Sequence, residues 1–359
     1  MTNLLSPLSF RRGPDMKNRF MLAPLTNTQS HEDGVLSDEE FHWLTMRAKG
    51  GFGLTMTCAA HVQAAGKGFP GQLGVFGDEH IQGLNRLASA IKQQESVAIV
   101  QLHHAGMRSP ADLIGMQPLS ASADEETGAR SLTTAEVKQL VEDFVLAAER
   151  SEKAGFDGVE LHGAHGYILC QFFSERTNQR NDEYGGTLEN RYRILFETIE
   201  GIRARCSADF ILGLRLSPER FGLDLLEVQT MAQALLDTQQ LDFLDMSLWD
   251  VFKEPGNPDY KGRSLMSYFT ELDRGETRLG VAGKIRTPAD AEAALANGAD
   301  WIMLGRAAIV HHNFPDLYAQ NPSFEPAALP LTRSHLSNEG LSEKFINYVK
   351  MGWPEYVAD

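Results

Sequence analysis

Two imidazoles and a phenol are crowded into one short run, His162-Gly163-Ala164-His165-Gly166-Tyr167. The residues before it, Asp157-Gly158-Val159-Glu160-Leu161, read as a short buried strand, and the Gly- and Asn-rich run from Asn178 to Gly186 reads as loop. The three rings therefore gather where a strand ends. Imidazole nitrogens and a phenol OH can donate to one polarised oxygen, or pass a proton to a nearby carbon. Two plainer readings stay open. One histidine caps the strand while the other is solvated, or the pair, three residues apart, holds a metal ion.

An alternation of strands and helices must place those rings. Strand-like runs fall at Arg19–Leu25, Gly53–Ala60, Ser96–Leu102, Gly158–His162, Phe210–Leu216, Asp242–Leu248, Arg278–Ala282 and Asp300–Leu304. Helical spacing falls at Asp38–Lys49, Asp78–Gln94, Thr134–Ala154, Leu188–Cys206, Glu227–Gln239, Pro288–Asn297 and from Arg306 onward. Ser37 or Asp38 caps the first helix, and Thr133 or Thr134 with Glu136 opens the third. A Pro/Gly/Lys loop from Trp249 to Arg263 follows the sixth strand. The irregular stretch from His103 to Ser131 is long for a compact domain and is expected to be a functional lid. Eight βα units predict an α/β chain with parallel strands closed into a (β/α)8 TIM barrel. Residues 1–359 are expected to form one such domain with extended βα loops. A doubly wound sheet would need a Gly-rich turn after the first strand, and Pro24-Leu25-Thr26-Asn27 is not one.

Active sites of such barrels sit at the C-terminal strand ends. Unusual residues keep falling there: Pro24-Leu25-Thr26, Ala59-Ala60-His61, Gln101, His162, Arg215, Trp249, Gly283 and Gly305-Arg306. The last two positions follow strands seven and eight, where barrels of this type bind phosphate. Glycine backbone N–H groups, a helix N-terminus and a guanidinium suit that anion; a plain turn with a solvated arginine is the alternative. Arg215 lies in Phe-Ile-Leu-Gly-Leu-Arg-Leu-Ser and needs an anionic or strongly polar partner, a structural carboxylate being the plainer choice. Gln101, inside Ile-Val-Gln-Leu, needs a partner with donor and acceptor edges. A flat heterocycle with amide-like edges and a phosphate tail meets all three demands, and flavin mononucleotide (FMN) fits.

Composition narrows the field. A net charge of −15 over 359 residues argues against nucleic-acid binding and against a polybasic membrane anchor. No run is long enough to span a bilayer, and Met1 to Phe20 shows no secretory signal. Cys58, Cys170 and Cys206 are widely spaced without a CxxC, as expected of a protein of the reducing cytoplasm without disulfides, structural zinc or an iron–sulfur cluster.

The chain resembles the old yellow enzyme family of FMN-dependent ene-reductases, from about Lys17 to about Phe314. The resemblance is carried by Lys-Asn-Arg-Phe-Met-Leu-Ala-Pro-Leu-Thr (17–26), Val-Gln-Leu-His-His-Ala-Gly (100–106), Ala154 through Tyr167, Ser174 through Arg193, and Leu-Gly-Arg (304–306). It implies non-covalent FMN, with Ala23, Pro24, Leu25 and Thr26 along the flavin and Thr26 near its C4 oxygen. Ala59 would touch the ring, Gln101 its pyrimidine edge and Arg215 its N1–C2 region, while Gly283, Gly305 and Arg306 would hold the phosphate. His162 and His165 would grip the substrate carbonyl, His162 also lying against the flavin, with Tyr167 as proton donor and Thr28 on the substrate wall. The implied reaction is ping-pong. NADH or NADPH reduces the flavin, flavin N5 passes hydride to the β-carbon of an α,β-unsaturated carbonyl compound, and Tyr167 protonates the α-carbon.

The chain also departs from the pattern. Thr26 stands where the two-histidine branch often has cysteine, and Thr28 where that branch places a substrate-binding tyrosine. The run Asn347 to Trp353 lacks an arginine to reach a neighbour's site, and a homo-oligomer stays open. Two other classes remain: a metal-dependent barrel lyase or hydrolase using His162 and His165, and a flavin-binding protein without turnover.

Overall fold

The eight apolar runs pair side by side because each is too short and too buried to stand at an open edge. The computed structural model describes residues 3–358. Its main strands are β1 (Phe20–Leu22), β2 (Leu54–His61), β3 (Val97–His103), β4 (Gly158–Gly163), β5 (Ile211–Leu216), β6 (Phe243–Ser247), β7 (Arg278–Ala282) and β8 (Trp301–Leu304). All pair in parallel with their chain neighbours, and β8 pairs with β1 to close the barrel. Every residue of β2 to β6 is buried, as expected of parallel strands covered on both faces.

The barrel is filled rather than hollow. Met21, Met56, Ile99, Phe243, Trp301 and Met303 pack inside it. Leu8, Phe10 and Met16, joined by an antiparallel bridge between Leu8 and Met16, plug the end where the strands begin. Phe10 meets the Trp301 ring edge-on at 5.6 Å. That end is shut, so a ligand can enter only at the other.

Outside lie α1 (Asp38–Lys49), α2 (Ile81–Lys92), α3 (Thr134–Lys153), α4 (Leu188–Arg205), α5 (Leu225–Asp237), α6 (Ser267–Thr270), α7 (Pro288–Ala296) and α8 (Arg306–Val310). Caps set their starts. The Ser37 hydroxyl accepts from Glu40 N, and Thr133–Glu136 and Thr287–Asp290 form reciprocal capping boxes. The sixth helix is a single turn, preceded by a Pro- and Gly-broken segment. The stretch from His103 to Ser131 is a built structure rather than a loose lid. Leu119–Ser120 pairs with Arg130–Ser131, and the Arg180 guanidinium donates to the Ala121 and Leu132 carbonyls.

The barrel leaves no room at Gly158. A Cβ there would lie 2.2 Å from the Ile211 carbonyl oxygen, backbone that cannot move without breaking the β4–β5 pairing. Gly158→Ala is expected to cost about 1–3 kcal/mol by overpacking. Gly352→Ala, with nothing within 4 Å of the new Cβ, is expected to cost none. Denaturant midpoints of the two variants check the contrast.

Candidate active site

At the open end, the strand termini surround a cavity of about 400 Å³, within the range of small-molecule sites. Ten of the residues singled out from the sequence line it: Ala23, Pro24, Leu25, His165, Tyr167, Arg215, Trp249, Gly283, Gly305 and Arg306. Five others stand behind the wall. His162 and Gln101 are buried below it, Ala59 sits at the bulge of β2, and Thr26 and Thr28 are half-buried in the loop after β1.

Strain marks the rim. His165, Phe221, Trp249 and Lys284 line the cavity with φ of +61°, +53°, +64° and +51°. Non-glycine residues hold such values only when neighbours enforce them, and they concentrate at functional sites. At His165 the enforcement is visible: its N–H donates to Ser217 Oγ at 3.0 Å, and Arg108 donates to its carbonyl at 2.6 Å.

The two histidines are bonded to one another rather than to a shared vacant point. His162 Nε2 and His165 Nδ1 lie 2.9 Å apart, and His165 Nε2 lies 2.7 Å from Ser247 Oγ. Only His162 Nδ1 is buried without a partner. An incoming oxygen must therefore replace one of these internal bonds. Burial holds His165 down at about 3, with help from the Arg215 and Arg108 charges, and it lowers His162 well below its usual range. Both rings are neutral donors and acceptors near pH 7. Tyr167 is held among them, its ring 4.4 Å from His103 and 5.1 Å from His162, with the Arg108 guanidinium 4.7 Å over its face. Among the described residues no group of three or more His, Cys, Asp or Glu side chains could hold a metal ion.

The opposite end is a phosphate-sized cradle. Gly283 must be glycine, since a Cβ would fall 2.6 Å from Asp250 N. At Gly305 a Cβ would meet only Leu25 at 3.3 Å and Ala23 at 3.9 Å, so the protein itself hardly fills that space. The Arg306 guanidinium rests against Trp353 and Tyr356 at 5.7 and 5.8 Å. The helix it opens has five residues, so the side chain and the glycine backbone carry more of the anion binding than a helix dipole does. Arg215, 5% exposed and with its Nε unpartnered, stands between cradle and rings. A cation mid-cavity and an arginine at a glycine cradle fit a phosphorylated, electron-accepting ring such as FMN.

Several site residues were missed in the sequence. Ser247 ends an ordinary strand, lines the cavity and bonds His165. Arg108, Lys284 and Arg286 line the cavity from loops. Trp353 arrives from the C-terminal segment, as does Tyr348, whose hydroxyl meets Thr26. Their signal was the aromatic run Tyr348, Trp353, Tyr356 near the end of the chain.

Residues 3–322 match the NADH:flavin oxidoreductase / NADH oxidase family. The chain belongs to that family. A probable NADH-dependent flavin oxidoreductase, YqiG, of Bacillus subtilis is 37% identical over 322 residues, covering 87% of this chain and 86% of the relative. Among solved structures, the old yellow enzyme homologue from Zymomonas mobilis superposes with a TM-score of 0.80 at 27% identity, over 95% of this chain and 99% of the other. Morphinone reductase in complex with tetrahydroNAD gives 0.79 at 26%, over 96% and 97%. An NADH:fumarate oxidoreductase of Klebsiella pneumoniae is 34% identical over 88% of this chain, but the match spans only 36% of that protein. The protein is thus a flavin oxidoreductase of the old yellow enzyme family, a TIM barrel using FMN with NADH or NADPH as reductant. Among its described residues no helix is long and apolar enough to cross a membrane.

The buried rings make stability depend on pH. Burial lowers His61 to about 4 and His104 and His165 to about 3. Unfolded, each binds a proton below about pH 6.5, while the folded protein leaves it neutral. Stability is therefore full above that pH and falls as pH drops towards 4, by up to about 1.4 kcal/mol per unit per histidine. His104→Gln is expected to flatten the fall in melting temperature between pH 7 and 5. An unchanged slope would mean that His104 is protonated in the folded state.

Proposed function

We propose that this flavoprotein is an ene-reductase acting on α,β-unsaturated carbonyl compounds, and that residues 1–359 form one domain serving that reaction. The observation that carries the reading is the meeting of His162, His165 and Tyr167 at the end of β4, on the cavity that Arg215 and Arg306 also line. FMN, when bound, accepts hydride from NAD(P)H and passes it to the acceptor. When FMN is bound, Ala23, Pro24, Leu25 and Thr26, which follow β1, would hold its ring together with Ala59, and Arg215 would supply it with positive charge. Gln101 would serve the ring from below, its amide nitrogen already committed to Glu160 at 2.6 Å. Gly283, Gly305 and Arg306 hold the phosphate.

The protein's own groups then act on the acceptor. Its carbonyl oxygen displaces an internal partner of His162 or His165 and takes their N–H groups, which draws electron density from the β-carbon. Tyr167 gives its proton to the α-carbon. Phe221 and Trp249 exclude water from one side, with the Arg220 guanidinium 4.0 Å over the Trp249 ring. Thr28, with its hydroxyl turned to the Asn27 carbonyl, contributes wall rather than a donor.

Arg306→Ala is expected to weaken FMN retention by about 1.5–3 kcal/mol, the worth of a charge-assisted hydrogen bond. Equilibrium dialysis reads it; full retention would remove Arg306 from the phosphate. Tyr167→Phe tests the reaction itself. Reduction of the flavin by NAD(P)H should persist, while reoxidation by cyclohexenone slows about 10²–10⁴-fold, as for loss of a general acid. A nitroalkene should be affected less, because its nitronate product can be protonated in water. Stopped-flow traces showing equal slowing with both acceptors would leave Tyr167 without a proton-transfer role.

A further inference from the structure

Beneath the rim the barrel buries two carboxyl groups that the reaction above leaves unused. Glu160 stands two residues before His162 on β4, and Asp245 two before Ser247 on β6. Strand alternation sends each acid to the same face as its rim neighbour, one layer deeper. Both are fully buried. Gln101 of β3 donates to Glu160 Oε1, but Glu160 Oε2 and both Asp245 oxygens meet no N–H or hydroxyl donor. The two carboxyl groups adjoin each other in this donor-poor layer. Two bare carboxylates side by side there would repel, and a single proton shared between them relieves the repulsion.

The pair then carries one negative charge, set against Arg215 on the intervening β5. Burial raises both acids, Asp245 further because Glu160 also pushes it up, and Arg215 draws both down. On the far side Gly280 of β7 leaves space: a Cβ there would sit 2.1 Å from Asp245 Oδ1 and 2.3 Å from Trp301 Nε1 of β8. The charged or titratable neighbours are Arg215 and, above Glu160, His162, which burial keeps neutral.

We infer that the Glu160–Asp245 pair takes up a second proton from solvent when the flavin bound over Arg215 gains two electrons, and releases it when the flavin is reoxidised. The inference rests on the flavin placement proposed above. Hydride from NAD(P)H brings two electrons and one proton to the cofactor. The negative charge this leaves competes with the acid pair for Arg215, and a proton from solvent neutralises the pair. Reoxidation sends hydride and the Tyr167 proton to the acceptor, solvent reprotonates the Tyr167 phenolate, and the pair's extra proton returns to solvent. Glu160 and Asp245 are thus positioning residues that act on the flavin through Arg215.

The test is the pH dependence of the holoenzyme's midpoint potential, titrated at equilibrium against a reference dye above about pH 7.5. Each proton that accompanies two electrons lowers the potential by about 30 mV per pH unit. The wild type is expected to fall about 60 mV per unit, and Glu160→Gln and Asp245→Asn about 30 mV. A wild-type slope near 30 mV overturns the inference whatever the variants do. A steep slope that survives both substitutions also overturns it, since the proton then goes elsewhere. Arg215→Met separates this from the placement. If the flavin lies over Arg215, the variant lowers the potential or loses the cofactor. An unchanged potential would mean that the placement itself has failed.

Discussion

Arg215 is the charge around which the upper barrel is organised. A guanidinium on a buried strand cannot shed its proton, so its surroundings must supply negative charge or strong acceptors. The interior meets that demand from below with Glu160 and Asp245, and Gln101 closes the same layer. From above only the cavity is left, where Arg215 lowers both His162 and His165. The one cation thus does two things at once. It adds to the burial that keeps the imidazoles neutral, and it offers an electron-accepting ring a positive edge. Glycine at position 213 is part of the same arrangement. A Cβ there would lie 1.9 Å from the Phe243 ring, so the barrel gives up a side chain below Arg215 to seat an aromatic floor.

The stretch from Ser174 through Arg193 holds the site in place without lining the cavity. Asn178 donates to the Phe172 and Tyr184 carbonyls, pinning the loop after the short helix Ile168–Phe173. Arg191 of α4 is 1% exposed and pairs with Glu227 of α5 while donating to the Phe173 carbonyl. Arg180 and Asp182 fasten the same loop to the small sheet of the β3–α3 excursion and to Thr134. The helix that follows Tyr167 is therefore clamped from both sides, and the ring's position is set by architecture some distance from the chemistry.

These particulars explain what could and could not be read from the chain. Strands were legible because parallel barrel strands are continuous apolar runs, and α1 and α3 because their capping residues announce them. The sixth helix was not, since a one-turn helix has no periodicity to detect. His165, Tyr167, Arg215, Gly283 and Arg306, which line the cavity, were conspicuous in the sequence because polar groups or glycines at strand ends stand out. Gln101 was conspicuous for the same reason, yet its amide nitrogen turned out to face a carboxyl group in the barrel. Ser247 and Trp353 could not be found that way. Ser247 lines the cavity from an ordinary strand end and bonds His165, 82 residues away in sequence, while Trp353 arrives by a C-terminal fold-back whose one signal is the aromatic run Tyr348, Trp353, Tyr356.

The electrostatics of the whole molecule give those loop residues a common purpose. The chain carries a net charge of −15, which repels any anionic nucleotide at long range. The cavity wall reverses that sign. It contains Arg108, Arg215, Lys284, Arg286 and Arg306 and not one carboxylate. Among the described residues, Lys284 forms an ion pair with Asp250 at 3.0 Å, and Arg215 is balanced from below by Glu160 and Asp245. A low-dielectric cleft lined by one sign of charge focuses its field outward. A phosphorylated cofactor or dinucleotide is therefore drawn to one opening on an otherwise repulsive surface. The other end of the barrel offers no competing entrance, because Leu8, Phe10 and Met16 already fill it.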